Sequence, residues 1–194
     1  MAIVVDKEQK RRDIAFACKD VIIKSGVQEP TIAALAKSAG IGKGTFYEYF
    51  KSKDELLFEL VHILMEEHNA SLHERLESAV DTKEKCKIFA HFFYDPQTEE
   101  LRRLYKMFSG ITLLHSHKEM KQFQTQCFDA YYEWFAQIID EGIAKGELKA
   151  DAKSLAKGMF ATAKGLFIAS ETTNSIEDLQ QELEGYIETI FKLI

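Results

Sequence analysis

Residues 31–56, TIAALAKSAGIGKGTFYEYFKSKDEL, leave the chain few folds to choose from, because they specify two short helices and the start of a third within 26 positions. Thr31 can accept from the free N–H groups that open a helix, and Ile32, Leu35 and Ala36 give that helix one apolar face at spacings of three and four. Gly40 supplies the left-handed backbone for a sharp turn. Ile41, Phe46 and Phe50 then continue the apolar face through a second helix, which leaves Lys43, Thr45, Tyr47, Glu48 and Tyr49 on its other sides. Ser52 and Glu55 have capping-box spacing, so Lys53 and Asp54 fall in the first turn of a long third helix.

The run A-G-I-G-K-G-T-F-Y-E-Y-F-K-S-K-D-E-L resembles the turn, recognition helix and following cap of the TetR family of bacterial transcriptional regulators. The likeness is strongest over about residues 10 to 60, and it returns at GIAKGELKADA, residues 142 to 152, which resembles a common helix junction of the family. It implies an all-α protein, with an N-terminal three-helix DNA-binding domain containing a helix-turn-helix (1–52) and a C-terminal helical ligand-binding and dimerisation domain (53–194). By this resemblance Lys43 and Gly44 lie at base edges in the major groove, and Glu48 and Tyr49 lie near bases or backbone. Thr45, Tyr47, Lys53 and Thr31 contact phosphates. Gly42 stands where many members carry a serine cap, and Ala33 where many carry a longer polar side chain. Base reading is therefore expected from residues 43 to 49.

The net charge of −6 argues against a nucleic-acid binder until it is divided along the chain. Residues 1–53 hold ten Lys/Arg against six acids, or +4, and residues 54–194 hold 15 against 25, or −10. A basic head on an acidic body suits a protein of which only the head meets phosphate. With 46% apolar and 29% charged residues, the chain has the composition of a packed globular protein rather than a disordered one.

Periodicity predicts helices throughout. Ile14, Ala17, Cys18, Val21 and Ile22 share a face of a helix over 7–25, and Leu56, Leu60, Ile63, Leu64 and Leu72 mark a long helix over 53–77. Further helices are expected near 82–94, 97–109, 118–145, 152–173 and 176–193. The short step from Phe50 to Ser52 implies that the helix starting at Lys53 joins the two domains without a flexible tether.

Phe123, Cys127, Phe128, Tyr131, Trp134, Phe135 and Ile138 crowd one predicted helix, and Phe89, Phe92, Phe93, Tyr105, Met107 and Phe108 add apolar bulk from earlier ones. Such residues fill a core or line a cavity. The resemblance favours the cavity, since members of the family bind a small effector in the body. Phe92, Tyr105, Phe108, His115, Tyr131, Trp134 and Phe135 are the expected ligand-binding residues. An acidic body disfavours an anion, so an apolar, neutral or cationic, aromatic effector is expected.

Gly158, Ala161, Thr162, Gly165 and Ala169 recur at spacings of three and four, and Leu179, Leu183, Tyr186, Ile187, Ile190 and Phe191 give the last helix an apolar face. The family dimerises through such a terminal pair, which implies a homodimer with Gly158, Thr162, Gly165, Leu179, Leu183, Tyr186 and Ile190 in the interface and two recognition helices for a palindromic operator.

Cys18, Cys86 and Cys127 are widely spaced with no C-x-x-C pair and read as reduced thiols of a cytoplasmic protein. His115 and His117 form H-x-H without a nearby Cys or carboxylate cluster, so no metal or cofactor is expected. MAIVVDKEQKRR lacks the apolar core of a signal peptide, and no run reaches the ~20 apolar residues of a membrane span. No nucleophile elbow, phosphate loop or paired carboxylates point to an enzyme. The sequence reads as a repressor released by a small molecule; the alternative is an effector-independent regulator or activator.

Overall fold

The computed structural model describes residues 6–26, 29–114 and 118–194. Among these residues there are ten α-helices and no strand: α1 (Lys7–Ala17), α2 (Lys19–Ser25), α3 (Ile32–Ser38), α4 (Lys43–Tyr49), α5 (Lys53–Ser78), α6 (Thr82–Ala90), α7 (Glu99–Leu114), α8 (Lys118–Ala144), α9 (Ala152–Thr172) and α10 (Leu179–Leu193). No helix among them is long and apolar enough to cross a membrane.

The contacts divide the chain into two units, Met1–His68 with Arg103–Lys121 and Asn69–Arg102 with Gln122–Ile194. α5 is one continuous helix whose first part belongs to the first unit and whose last part belongs to the second.

The first unit is built on residues that the apolar pattern singled out. Ile14, Cys18, Ile22, Leu35, Phe46, Phe50, Leu56 and Leu60 are all buried in it. Burying Phe46 and Phe50 alone contributes about 1.5–3 kcal/mol each, which fixes the inner side of α4. The helix expected over 7–25 is broken in two at Cys18, whose N–H donates to Ala15 O at 3.1 Å in a tighter turn. The break falls where the chain is anchored to α3. Cys18 is fully buried, with its thiol donating to Leu35 O on α3 at 3.3 Å and accepting from Ser38 Oγ at 3.5 Å.

In the second unit, α10 packs on α6 and α9, over a core that includes Leu72, Leu76, Phe89, Ile139, Ala156, Met159 and Ile187. Side-chain caps set the boundaries that periodicity missed. α10 begins at Leu179 rather than near 176 because Asp178 accepts from Gln181 N–H at 2.9 Å. The helix expected over 82–94 ends at Ala90 and gives way to a 3-10 turn, His91–Phe93. A second such turn, Pro96–Thr98, is capped by Asp95 and delays the next helix to Glu99, from which it runs on to Leu114.

Candidate nucleic-acid interface

α3 starts where a hydroxyl can cap it: Thr31 Oγ1 accepts from Ala34 N–H at 3.2 Å. It stops at Gly40, with φ of +66°, where Gly40 N–H donates to Lys37 O and Ile41 N–H donates to Ala36 O. This paired bonding of the last carbonyls forces a reversal, and the left-handed residue at its centre has to be glycine to avoid strain. Only four residues separate α3 from α4, which is capped by Gly42 in extended backbone.

The seven residues of α4 and its C-cap, Phe50, sort into three sides. Phe46 and Phe50 face inward with no exposed surface. Lys43 and Tyr47 form one exposed row at spacing four, and Gly44 and Glu48 form the adjacent one. Thr45 and Tyr49 lie half-buried on the flank. Tyr47 is 49% exposed, yet its ring meets Phe46 edge-on at 5.7 Å, so its hydroxyl is carried outward on a braced ring. Thr31 is exposed, and its O–H remains able to donate while its oxygen caps α3. Lys53 is half-buried and donates to Pro30 O at 3.2 Å. The reciprocal cap at α5 is slightly displaced from the expected pattern: Glu55 N–H donates to Ser52 Oγ at 3.2 Å, while Glu55 Oε2 accepts from Lys51 N–H at 2.8 Å.

Arg11 was not singled out by the sequence, yet it touches α4 directly. Its guanidinium lies 4.4 Å from the centre of the Phe50 ring, donates through Nη1 to Tyr49 O and pairs through Nε with Glu59 Oε2 at 2.8 Å. Its place three residues before Ile14 and four before Ala15, both buried, was the available signal. Lys37 is also exposed, on the same α3 row as Ala33.

The residues expected to bind an effector are distributed over both units. Tyr131, Trp134 and Phe135 meet around Phe89 in the second unit, at ring separations of 6.3, 5.9 and 5.5 Å. Tyr131 donates to Asn69 Oδ1 at 2.7 Å, and burial pushes its phenol above the usual value. Phe92 stacks edge-on against Phe93 in the same unit. Tyr105 and Phe108 belong to the first unit, where Phe108 is buried against Phe58. His115 lies outside the described residues, as does His117. No group of three or more His, Cys, Asp or Glu side chains that could hold a metal ion occurs among the described residues.

Of the residues expected at a dimer interface, Gly158 and Gly165 are exposed, and a methyl group at either would meet nothing within 4 Å. Thr162 is half-buried and donates to Gly158 O at 2.8 Å, and Leu179, Tyr186 and Ile190 are half-buried. Leu183 is placed differently. At 1% exposure it is spent on the core of its own unit and has no surface to offer a second chain.

Two short helices at a tight turn, the second presenting a polar face above a locked apolar one, define a helix-turn-helix DNA-binding protein. Residues 17–60 match the model of the bacterial regulatory proteins of the tetR family. Over that stretch the chain is similar to the DNA-binding domain of TetR-family regulators. It is 28% identical over 145 residues to the fatty acid metabolism regulator protein of Bacillus subtilis, covering 74% of this chain and 73% of that one. It is 24% identical to the HTH-type transcriptional regulator TtgR of Pseudomonas putida over 95% of this chain and 90% of that one. Its fold matches a TetR-family regulator from Cytophaga hutchinsonii with a TM-score of 0.77 at 16% identity, over 96% of each chain. These relatives are transcriptional regulators.

Proposed function

We propose that the chain acts in the cytoplasm as a homodimeric repressor that holds a palindromic operator through two copies of α4 and releases it when a small molecule binds the body. The observation that carries this reading is the outward rows Lys43–Tyr47 and Gly44–Glu48 on a helix whose inner side is pinned by Phe46 and Phe50. Lys43 reads base edges across the open backbone of Gly44, Glu48 and Tyr49 lie near bases or backbone, and Thr31, Thr45, Tyr47 and Lys53 fix the register on phosphate. Dimerisation uses the open small-residue side of α9, at Gly158, Thr162 and Gly165, with Leu179, Tyr186 and Ile190 of α10.

The effector reading rests on Phe92, Tyr131, Trp134 and Phe135 of the second unit, whose rings would enclose an apolar or aromatic compound and whose one phenol would orient it. A ligand releases DNA only through a difference in affinity between two conformations, and a coupling of about 1–3 kcal/mol changes operator affinity some 5- to 150-fold. The continuous helix α5 is the element through which such a change would travel.

One observation favours an effector-independent regulator instead. Phe89 is already surrounded by Tyr131, Trp134, Phe135 and Phe160, and Tyr131 already has Asn69 as its acceptor, which is how a filled core looks. Titration separates the two readings, because Trp134 is the only tryptophan. Compounds that lower operator affinity should shift Trp134 emission with the same midpoint. Loss of operator binding with constant emission, and with unchanged compound affinity in Trp134→Phe, would remove the proposed effector site.

A further inference from the structure

We propose that Arg11 is a positioning residue for DNA reading, setting the pitch of α4 by tying its last turn to α5. The first unit places three contacts on one side chain. Nη1 takes the carbonyl oxygen of Tyr49, the last residue of α4; the guanidinium plane covers the Phe50 ring; and Nε pairs with Glu59 in the second turn of α5. The last four carbonyls of a helix have no partner inside it, so an outside donor can grip the helix there without disturbing its own bonds. With only seven residues, α4 has little length of its own to resist tilting. Phe46 acts as its buried pivot, and Arg11 holds the end beyond that pivot, opposite Lys43 and Gly44.

The planar fork of arginine satisfies all three contacts together. Lysine keeps the charge on α1 but, as a point donor on a flexible stem, it cannot cover Phe50 while bonding both Tyr49 O and Glu59. Arg11 itself need not touch DNA for this role. Its loss would misdirect the base-reading end of α4 while leaving the basic charge of the head, which governs binding to any duplex, unchanged in R11K.

The inference rests on the assignment of α4 as the reading helix, and the experiment separates the two. The unmodified full chain is used to enrich a duplex from a randomised pool, and affinities for that duplex and for a random duplex of equal length are measured for the unmodified protein, R11K, E59Q and the double variant. Concentrations are those of folded protein by circular dichroism. R11K should lose about tenfold on the enriched duplex, in keeping with a charge-assisted hydrogen bond, and less than about twofold on the random one. E59Q should lose less than R11K, and the double variant should be no worse than R11K, because the two side chains act through one contact set. Enriched-duplex affinities within twofold of the unmodified protein in R11K and E59Q, or equal losses on both duplexes, would overturn the positioning role. If R11K fails to fold, the E59Q ratio of enriched to random binding decides in the same way. Failure of the unmodified protein to enrich any duplex would overturn the reading of α4, and the inference with it.

Discussion

A methyl group on Gly142 would lie 2.6 Å from Thr82 Oγ1, 2.7 Å from Thr82 Cγ2 and 3.0 Å from its Cβ. Thr82 is 2% exposed, and its N–H donates to Glu147 Oε2 at 2.7 Å, so it cannot swing aside freely. Gly142→Ala is therefore expected to cost about 1–3 kcal/mol, read as a lower denaturation midpoint at unchanged slope. Cys86 gives a pH signature. Burial, aided by the Asp81 carboxylate, pushes its thiol from 9.0 up to about 12. The unfolded chain loses that proton first, so the stability tied to the neutral thiol is intact below pH 9 and declines as pH rises from 9 towards 12. Denaturation midpoints measured between pH 8 and 10 should fall less steeply in Cys86→Ala than in the unmodified protein.

At the scale of the element, the α9–α10 pair separates two roles that one apolar pattern conflates. Leu183 and Ile190 share a face by spacing, but Leu183 is turned into its own core and Ile190 is only half-buried. Leu183→Asp should unfold the second unit, since it places an unpaired carboxylate at a site with 1% exposure. Gly165→Leu meets open space in the single chain and should leave the helical content unchanged, while sedimentation should show the unmodified protein as a dimer and the variant as a monomer. A Gly165→Leu dimer would place the interface elsewhere.

The same contrast explains what could be read in advance. The turn at Gly40, the inward Phe46 and Phe50 and the outward Lys43, Tyr47 and Glu48 follow from spacing alone, because a short helix with two aromatic anchors has only one way to face. The break at Cys18 does not, since the residue's anchor, the Leu35 carbonyl, lies 17 residues away. Arg11 escaped for a similar reason: its partners at Tyr49, Phe50 and Glu59 are remote in sequence, and a basic residue near the chain start reads as solvated charge until the fold closes around it. The start of α10 was legible in principle, because Asp178 precedes it in the position of an ordinary cap.

For the whole molecule, the central claim is that the exposed rows of α4 read base pairs. The basic head alone would bind any duplex with a steep salt dependence, so affinity by itself does not decide the matter. The Lys43 side chain does, because the proposed reading puts it at base edges and puts Tyr47 at phosphate. The direct measurement is fluorescence anisotropy of an enriched duplex and of each of its single base-pair variants, titrated with the unmodified protein and with Lys43→Ala at one fixed salt concentration. The unmodified protein should show symmetric pairs of sensitive positions in two half-sites, each substitution costing about 1–3 kcal/mol. Lys43→Ala should flatten the profile at one or two positions per half-site and leave the others in place. An unchanged profile, with every base pair as costly to replace as before, would contradict the claim.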